Sequence, residues 1–520
     1  MTRRAQVWAW QLRFSLPMAA TTILLLACGD SGETCPEGYT CIADGGGGSS
    51  TTATTTSSST GGSGGEGGTI DPGCIPSMLP SGTSVPATCG IFVEAGATGT
   101  GSLSDPTGDL AQALQNVPAT QAVYVCGTDT FTGSFTLAGG RSIFGGLDCS
   151  GWTYNASLRP KLLGNADVPA LVVAGAGATK LEDFDVESPN ASGAGASSIA
   201  LVVDVTTADL TRMTIVAGAG ATGAPGAPQA KEPTPAAANG GNGATGCTGA
   251  VGVLGGGGGQ QVCQGTDVAG GIGGSGTNGT NGGAGSDGAP FGPLGKGGAG
   301  EIGTPATACV LGGQGAAGSS GTPGAGAPSD LGTLTSAGYA GPGGGTGSTG
   351  TPGQGGGGGG GANLCTGSGP SGGGGGAGGC GGAPGNRGGG GGGSFALVSL
   401  GATVSLSNVS LTAGSGGTGG AGDAGQEGMD GGIEGAQGMG GGACPGGPGG
   451  KGGRGGAGGG GRGGPSVGIA FVGAAPTENA GVTIAIAASP APGGNGGNGG
   501  AGNVGGPGAD GLVELRQAWP

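Results

Sequence analysis

Two unbroken glycine runs, Gly355–Gly361 and Gly388–Gly393, lie within tracts where glycine dominates for scores of residues. A run without side chains has nothing apolar to bury, so such tracts cannot build a hydrophobic core. They have two options. They stay disordered, or they pack bare backbone against bare backbone in extended, polyglycine-II-like helices, which the missing Cβ permits. Glycine fills 149 of 520 positions, while Phe, Trp and Tyr number 9, 4 and 4. The rest of the chain therefore has material for one modest core.

That core must come from short strings of β-branched and bulky apolar residues. After Cys74 the expected strands are Ala122–Cys126, Ser134–Leu137, Ser142–Phe144, Lys161–Leu163, Leu171–Val173, Leu181–Val186, Ile199–Val203 and Leu210–Val216. Similar strings return at Phe395–Leu400, Thr403–Leu411, Ile469–Val472, Val482–Ala487 and Val513–Leu515. No two-residue Asn-Gly or Asp-Gly turn joins paired runs. Short strands with small residues at the corners suit an all-β parallel β-helix, a solenoid, with a β-sandwich as the rival. Ahead of them Ser104-Asp105-Pro106 leads into Asp109–Gln115, which places Leu110, Ala113 and Leu114 on one helical face. That is a short N-terminal capping helix, which plugs the open first coil. In the glycine tracts, local three-residue phasing such as Gly276-Thr277-Asn278-Gly279-Thr280-Asn281-Gly282 is collagen-like, but proline is too sparse and the phase breaks too often for a triple helix.

The domain reading follows. Residues 1–27 are a signal peptide, and 28–73 hold a lipidated Cys, a small disulfide knob and a Gly/Ser/Thr linker. Residues 74–217 are a β-helix segment, 218–393 a Gly-rich insertion, 394–413 a further coil, 414–465 a second insertion, and 466–520 the C-terminal coils with a Gly-rich loop.

Ile91-Phe92-Val93, the Asp105-Pro106 helix, Val123–Cys126 with Gly127, the Gly133–Leu137 run and Ile143–Cys149 together resemble the opening of bacterial right-handed parallel β-helix proteins of the pectin-lyase-like class. The resemblance covers about a quarter of the chain and is specific for fold rather than activity. It implies that Val123–Cys126 begins the first coils and that Cys126 and Cys149 lie near each other. The glycine tracts are similar in composition to bacterial PGRS-type repeat proteins, a likeness that transfers no mechanism.

Arg3 and Arg4, the apolar run Ile23–Leu26, small Ala27 and then Cys28 read as an export signal. The apolar stretch is short of the roughly 20 residues a bilayer needs. Leu25-Leu26-Ala27-Cys28 resembles the lipobox of bacterial lipoproteins, which implies palmitate or another acyl chain on Cys28 and anchoring in a lipid bilayer. Gly29 carries no inner-membrane retention cue, so the resemblance implies the outer membrane of a Gram-negative envelope, with either leaflet open. The other cysteines, Cys35, Cys41, Cys74, Cys89, Cys126, Cys149, Cys247, Cys263, Cys309, Cys365, Cys380 and Cys444, are even in number and suit disulfides in an oxidising space. Neighbour pairing would join Cys35 to Cys41, Cys74 to Cys89, Cys126 to Cys149 and Cys247 to Cys263, although spacing alone does not fix connectivity. No Cys-x2-Cys pair and no His speak for zinc.

Chemistry is thinly represented. The chain lacks His, so imidazole acid–base catalysis is excluded. Its formal charge is −15, and −18 once Arg3, Arg4 and Arg13 leave with the signal peptide, which argues against nucleic-acid binding. Asp183 and Asp185 alternate on one expected strand and would share a face, with Glu182, Glu187, Asp204, Asp209 and Arg212 nearby. Adjacent solvated carboxylates are commoner than a catalytic pair, so no catalytic residue, metal or cofactor is assigned. Gly505–Val513 fits a Ca²⁺-binding β-roll repeat, but one copy in so glycine-rich a chain reads as a turn before a strand. Of the four Trp, only Trp152 and Trp519 lie outside the signal peptide. The sequence thus points to a non-enzymatic envelope lipoprotein of structural or adhesive role, with envelope polysaccharide or surface proteins as partners. A carbohydrate-binding or carbohydrate-active β-helix and a flat, ice-like surface binder working through polyglycine helices are the alternatives.

Overall fold

Strands form where apolar residues interrupt the glycine, and they assemble into three sheets. The first runs through Thr98–Ser102, Asp105–Thr107, Gly90–Val93, Ala122–Cys126, Ser142–Leu147, Ala178–Glu182, Thr207–Thr211, Thr403–Ser407 and Thr477–Glu478. The second holds Thr130–Thr132, Lys161–Leu163, Asp185–Ser188, Thr214–Ala217, Ser410–Ala413 and Thr483–Ala485. The third holds Phe135–Ala138, Leu171–Ala174, Ser198–Asp204, Ser394–Leu400, Ser466–Val472 and Val513–Ala518. The computed structural model describes residues 70–520 apart from 230–235, 250, 304–305 and 364. The signal peptide, Cys28, the Cys35–Cys41 knob and the linker lie outside the described residues. The protein is all-β with one short α-helix, and pairing within the three sheets is parallel except where Thr98–Ser102 meets Asp105–Thr107. Parallel pairing removes the sandwich, whose sheets are antiparallel.

From Ala122 onward the chain visits the three sheets in rotation, laying one strand in each before it returns beside its earlier strand. In-register pairing then stacks like on like. Val123, Ile143, Leu181, Leu210 and Leu406 form a ladder in the first sheet. Phe131, Leu162, Val186, Ile215 and Leu411 form one in the second, and Phe135, Leu171, Leu201, Leu397 and Ile469 in the third. All are buried in one cluster, each side chain contributing about 1.5–3 kcal/mol by leaving water. Helix Leu110–Asn116, N-capped by the Asp109 carboxylate on the Gln112 amide, inserts Leu110, Ala113 and Leu114 into the same cluster. Asp105 and Pro106, expected as the lead-in to that helix, instead form a short strand.

Three expected strands are each two. Leu181–Val186, Leu210–Val216 and Thr403–Leu411 break at Asp183-Phe184, Arg212-Met213 and Asn408-Val409. At each corner the first residue has φ of +62°, +52° and +52° respectively, and the second is buried. The left-handed residue turns the chain from one sheet to the next while its neighbour points into the core.

The glycine tracts leave and rejoin at one corner. Residues 218–393, 414–465 and the stretch before Val513 each depart after a strand of the second sheet and return at a strand of the third. Stacked exits bring the tracts side by side, and they bond to one another through the main chain. In 355–361 the amides of Gly355, Gly358 and Gly361 donate to Ala289, Ser286 and Gly283, those of Gly356 and Gly359 to Gly376 and Gly373, and those of Gly357 and Gly360 to Gly313 and Val310. The carbonyls of Gly356, Gly357 and Gly358 accept from Gly271, Gly447 and Gly298. Every third residue therefore faces the same neighbour, as three residues per turn requires. A Cβ anywhere in Gly355–Gly361 would lie 2.0–2.2 Å from a backbone oxygen, so the unbroken run marks a segment surrounded on all sides. Where a rod is outermost, side chains from the next rod cap its amides. Asn239 and Asn242 accept from Ile433 and Ala436, and Ser348 and Thr351 from Thr322 and Ser319.

Between the two regions lies a second apolar cluster. Hairpin Thr333–Thr335/Gly338–Ala340 lays Leu334 and Tyr339 against Ile199, Val202, Phe395, Val398, Val467 and Ala470, with Trp519 beside them. The middle strands of the third sheet are consequently buried on both faces.

Candidate functional site

The carboxylates singled out by sequence do not form a pair. Asp183 sits at a corner, buried, and its carboxylate receives the guanidinium fork of Arg212, with Nε to Oδ1 at 2.8 Å and an Nη to Oδ2 at 2.9 Å. The expectation that Asp183 and Asp185 share a strand face fails because the corner intervenes. Asp185 opens the next strand in another sheet, where Arg159 lies 4.0 Å away. Each acid has its own arginine.

Arg212 also donates to Glu182 at 2.8 Å, and that carboxylate accepts from the Ser77 hydroxyl at 2.8 Å. The guanidinium lies 5.8 Å from the Tyr154 ring centre, within range of a cation–π attraction. Burial, followed by the Asp183 charge, raises the Tyr154 phenol above its ordinary value. Burial alone would lower the Arg212 pKa, but the hydrogen bond and charge of Asp183 outweigh it and the group is raised. Arg212 is thus firmly a cation, its donors committed to two acids one strand below. The cluster fastens the segment around Ser77, 105 residues away in sequence, to the sheets. Ser77 and Tyr154 could not be read from local spacing, since only the fold brings them in. Of the remaining acids, Glu187 pairs with Lys161 and Asp209 with Lys180 at 3.0 Å across neighbouring strands.

Five disulfides stand among the described residues. Cys74–Cys89 and Cys126–Cys149 brace the first strands. The neighbour pairing of Cys247 with Cys263 is incorrect: Cys247 bonds Cys365 and Cys263 bonds Cys380. Rods 236–246 and 255–260 both lie against the rod that follows Cys365, so Cys247 is stapled at its start and Cys263 near its middle rather than to each other. Cys309 bonds Cys444. Glu94 comes within 4.8 Å of the Cys126 and Cys149 sulfurs, but sulfurs bonded to each other are not thiolate ligands. Asp510, in the stretch with a calcium-repeat pattern, accepts from the Gly493 amide at 3.0 Å and caps a neighbouring rod.

The two Trp are 4% and 5% exposed, so neither offers a face for sugar stacking. Among the described residues no helix is long and apolar enough to cross a membrane. No protein-family model, curated protein or solved structure matches this chain.

Proposed function

We propose that this chain is a non-enzymatic structural or adhesive lipoprotein of the bacterial cell envelope, exported by residues 1–27 and held to the outer membrane through acylated Cys28. Its sheets are read as a right-handed parallel β-helix, capped by the helix at Leu110–Asn116, and its glycine tracts as polyglycine-II-like rods carried on one corner of that solenoid. The observation supporting this reading most directly is how the chain spends its glycine. The longest runs are interior positions of a hydrogen-bonded bundle, which makes a stiff body with chemically quiet side chains. The acids that might have served catalysis are tied to arginines. Labelled palmitate is expected to enter the wild type and not Cys28→Ala, and cells making Cys28→Ala should lose surface retention of the protein and attachment to polysaccharide-coated surfaces. Equal labelling of both forms, or unchanged attachment, would remove the proposal.

A second reading, binding of a flat repetitive surface such as ice, is favoured by the evenly spaced hydroxyls of Ser319, Thr322, Ser348 and Thr351 on adjoining rods. Measured thermal hysteresis in the purified protein, lost in Thr322→Tyr, would support it over adhesion.

A further inference from the structure

The rod 369–393 is enclosed over most of its length and bare over one short stretch. At Gly375 the amide donates to the Gly271 carbonyl and the carbonyl accepts from the Gly259 amide. One turn on, the Gly378 amide still donates to Val268, but its carbonyl has no partner among the described residues. At Gly381 neither group has one. The neighbouring rods stop short here, because hairpin Val262–Cys263/Thr266–Asp267 turns the chain back and the Cys263–Cys380 bond pins it at the edge. A cavity of about 750 Å³ is left, floored by Cys380–Pro384 and walled by Gln261, Gln264, Thr349 and Met429.

We propose that this groove binds an extended, glycine-rich polypeptide segment, which continues in line the position that rod 255–260 holds one turn away. The floor presents an amide and carbonyls at three-residue spacing, and the bundle itself shows what shape pairs with them. Where a neighbouring rod already faces it, a Cβ on Gly270 would lie 2.0 Å from the Gly375 oxygen and one on Gly273 2.1 Å from that of Gly372. The guest therefore needs glycine wherever it faces the rod, with small polar residues tolerated towards Gln264 and Thr349. Acids at the rim are already neutralised, Asp430 by Lys451 and Glu427 by Arg454, which favours an uncharged guest. This goes beyond the envelope reading and does not need acylation of Cys28. Residues 45–68 of a second copy do not meet that requirement, since Ser49–Thr60 contains no glycine and Glu66 is charged, so the guest is a different, glycine-rich chain.

The test uses the full chain and a fluorescent (Gly-Gly-Asn)6 peptide followed by anisotropy. Saturable binding is expected, weakened at least tenfold by Thr349→Trp or Gln264→Trp, which fill the groove from two exposed walls, and by N-methylation of one glycine per triplet. An unlabelled peptide of residues 45–68 should not compete, and competition by it would overturn the proposal. No saturable binding, or equal binding of the N-methylated peptide or by both Trp variants, overturns the proposal.

Discussion

In the three sheets the interior is side chain: Leu181, Leu210 and Leu406 stack in register, and the backbone bonds lie in the wall around them. In the glycine tracts the interior is mostly main chain, with a few side chains such as Ser371, Ala377, Ala457 and Asn503 buried among it. The sheets draw stability from apolar burial. The rods cannot, and glycine loses more conformational freedom on ordering than any other residue. Their net gain is roughly 0.5–1.5 kcal/mol per hydrogen bond, so they depend on restraints from outside the lattice. Cross-links supply these. The three disulfides within the tracts span 118, 117 and 135 residues, against 15 and 23 for the two beside the first strands.

The largest expected effect breaks the molecule along that line. In the loop-entropy model each long cross-link stabilises by about 5 kcal/mol, though overlapping loops do not add in full. Reduction with dithiothreitol under native conditions should remove amide-exchange protection across 236–393 and 414–464 while strands between Ala122 and Ala217 keep theirs. Simultaneous loss in both regions would show one cooperative unit and dissolve the contrast.

Opposite substitutions should injure the two regions. Leu201, fully buried in the third-sheet ladder, should lose about 3 kcal/mol on change to Ala because a cavity is left. Gly358 faces the Ile272 carbonyl, 2.0 Å from where a Cβ would stand, and Gly358→Ala should cost a comparable 3 kcal/mol or so by forcing two backbones apart. Chemical denaturation reads both. A neutral Gly358→Ala would mean the rods are loosely packed.

Much of this contrast was legible. The strand strings fell close to their observed places, and the unbroken glycine runs flagged backbone packing as one of two options. A repeat also marks the corners. Leu181-Glu-Asp-Phe184-Asp-Val186, Leu210-Thr-Arg-Met213-Thr-Ile215 and Leu406-Ser-Asn-Val409-Ser-Leu411 share a spacing of three and then two between apolar residues. A strand alternates by two, so the interval of three announces a corner. A single strand drawn through that corner merges two strands and puts Asp183 and Asp185 on one face. Likewise Ser198–Asp204, Ser394–Leu400 and Ser466–Val472 are copies of one strand held apart by glycine. The long disulfides and the Ser77 contact had no local signal, because they follow from how distant rods and strands dock.

The corner cluster sharpens the comparison from the sheet side. Arg212→Ala leaves Glu182 and Asp183 without their cation, at an expected cost of about 2 kcal/mol, discounted from a fully buried pair because a quarter of the Arg212 side chain meets water. Arg212→Lys keeps the charge but loses the fork, and should fall between. Denaturation midpoints that are equal for all three proteins would make the cluster ornamental.

The smallest effect concerns a place where the sheet region lacks a glycine it could use. After four of the third-sheet strands the chain turns at Gly175, Val205, Gly401 and Gly473, with φ of +102°, +53°, +57° and +87°. The positions are equivalent, since Ala174, Asp204, Leu400 and Val472 are paired in register. Three of the four corners have the residue that occupies this region without strain. A β-branched side chain there costs roughly 1–2 kcal/mol, and at 64% exposure Val205 recovers little by burial. Val205→Gly should therefore stabilise the protein by about 0.5–1 kcal/mol, the strain relieved being partly offset by the greater freedom of glycine in the unfolded chain. Val205→Asn should gain as much, because asparagine tolerates the left-handed region without that entropic penalty. Glycine thus serves the sheets at such turns and at a few close approaches such as Gly90 and Gly145, whereas in the rods it is needed wherever neighbouring backbones touch. A lower melting temperature for both variants would mean that the valine side chain is held by contacts stronger than its backbone strain.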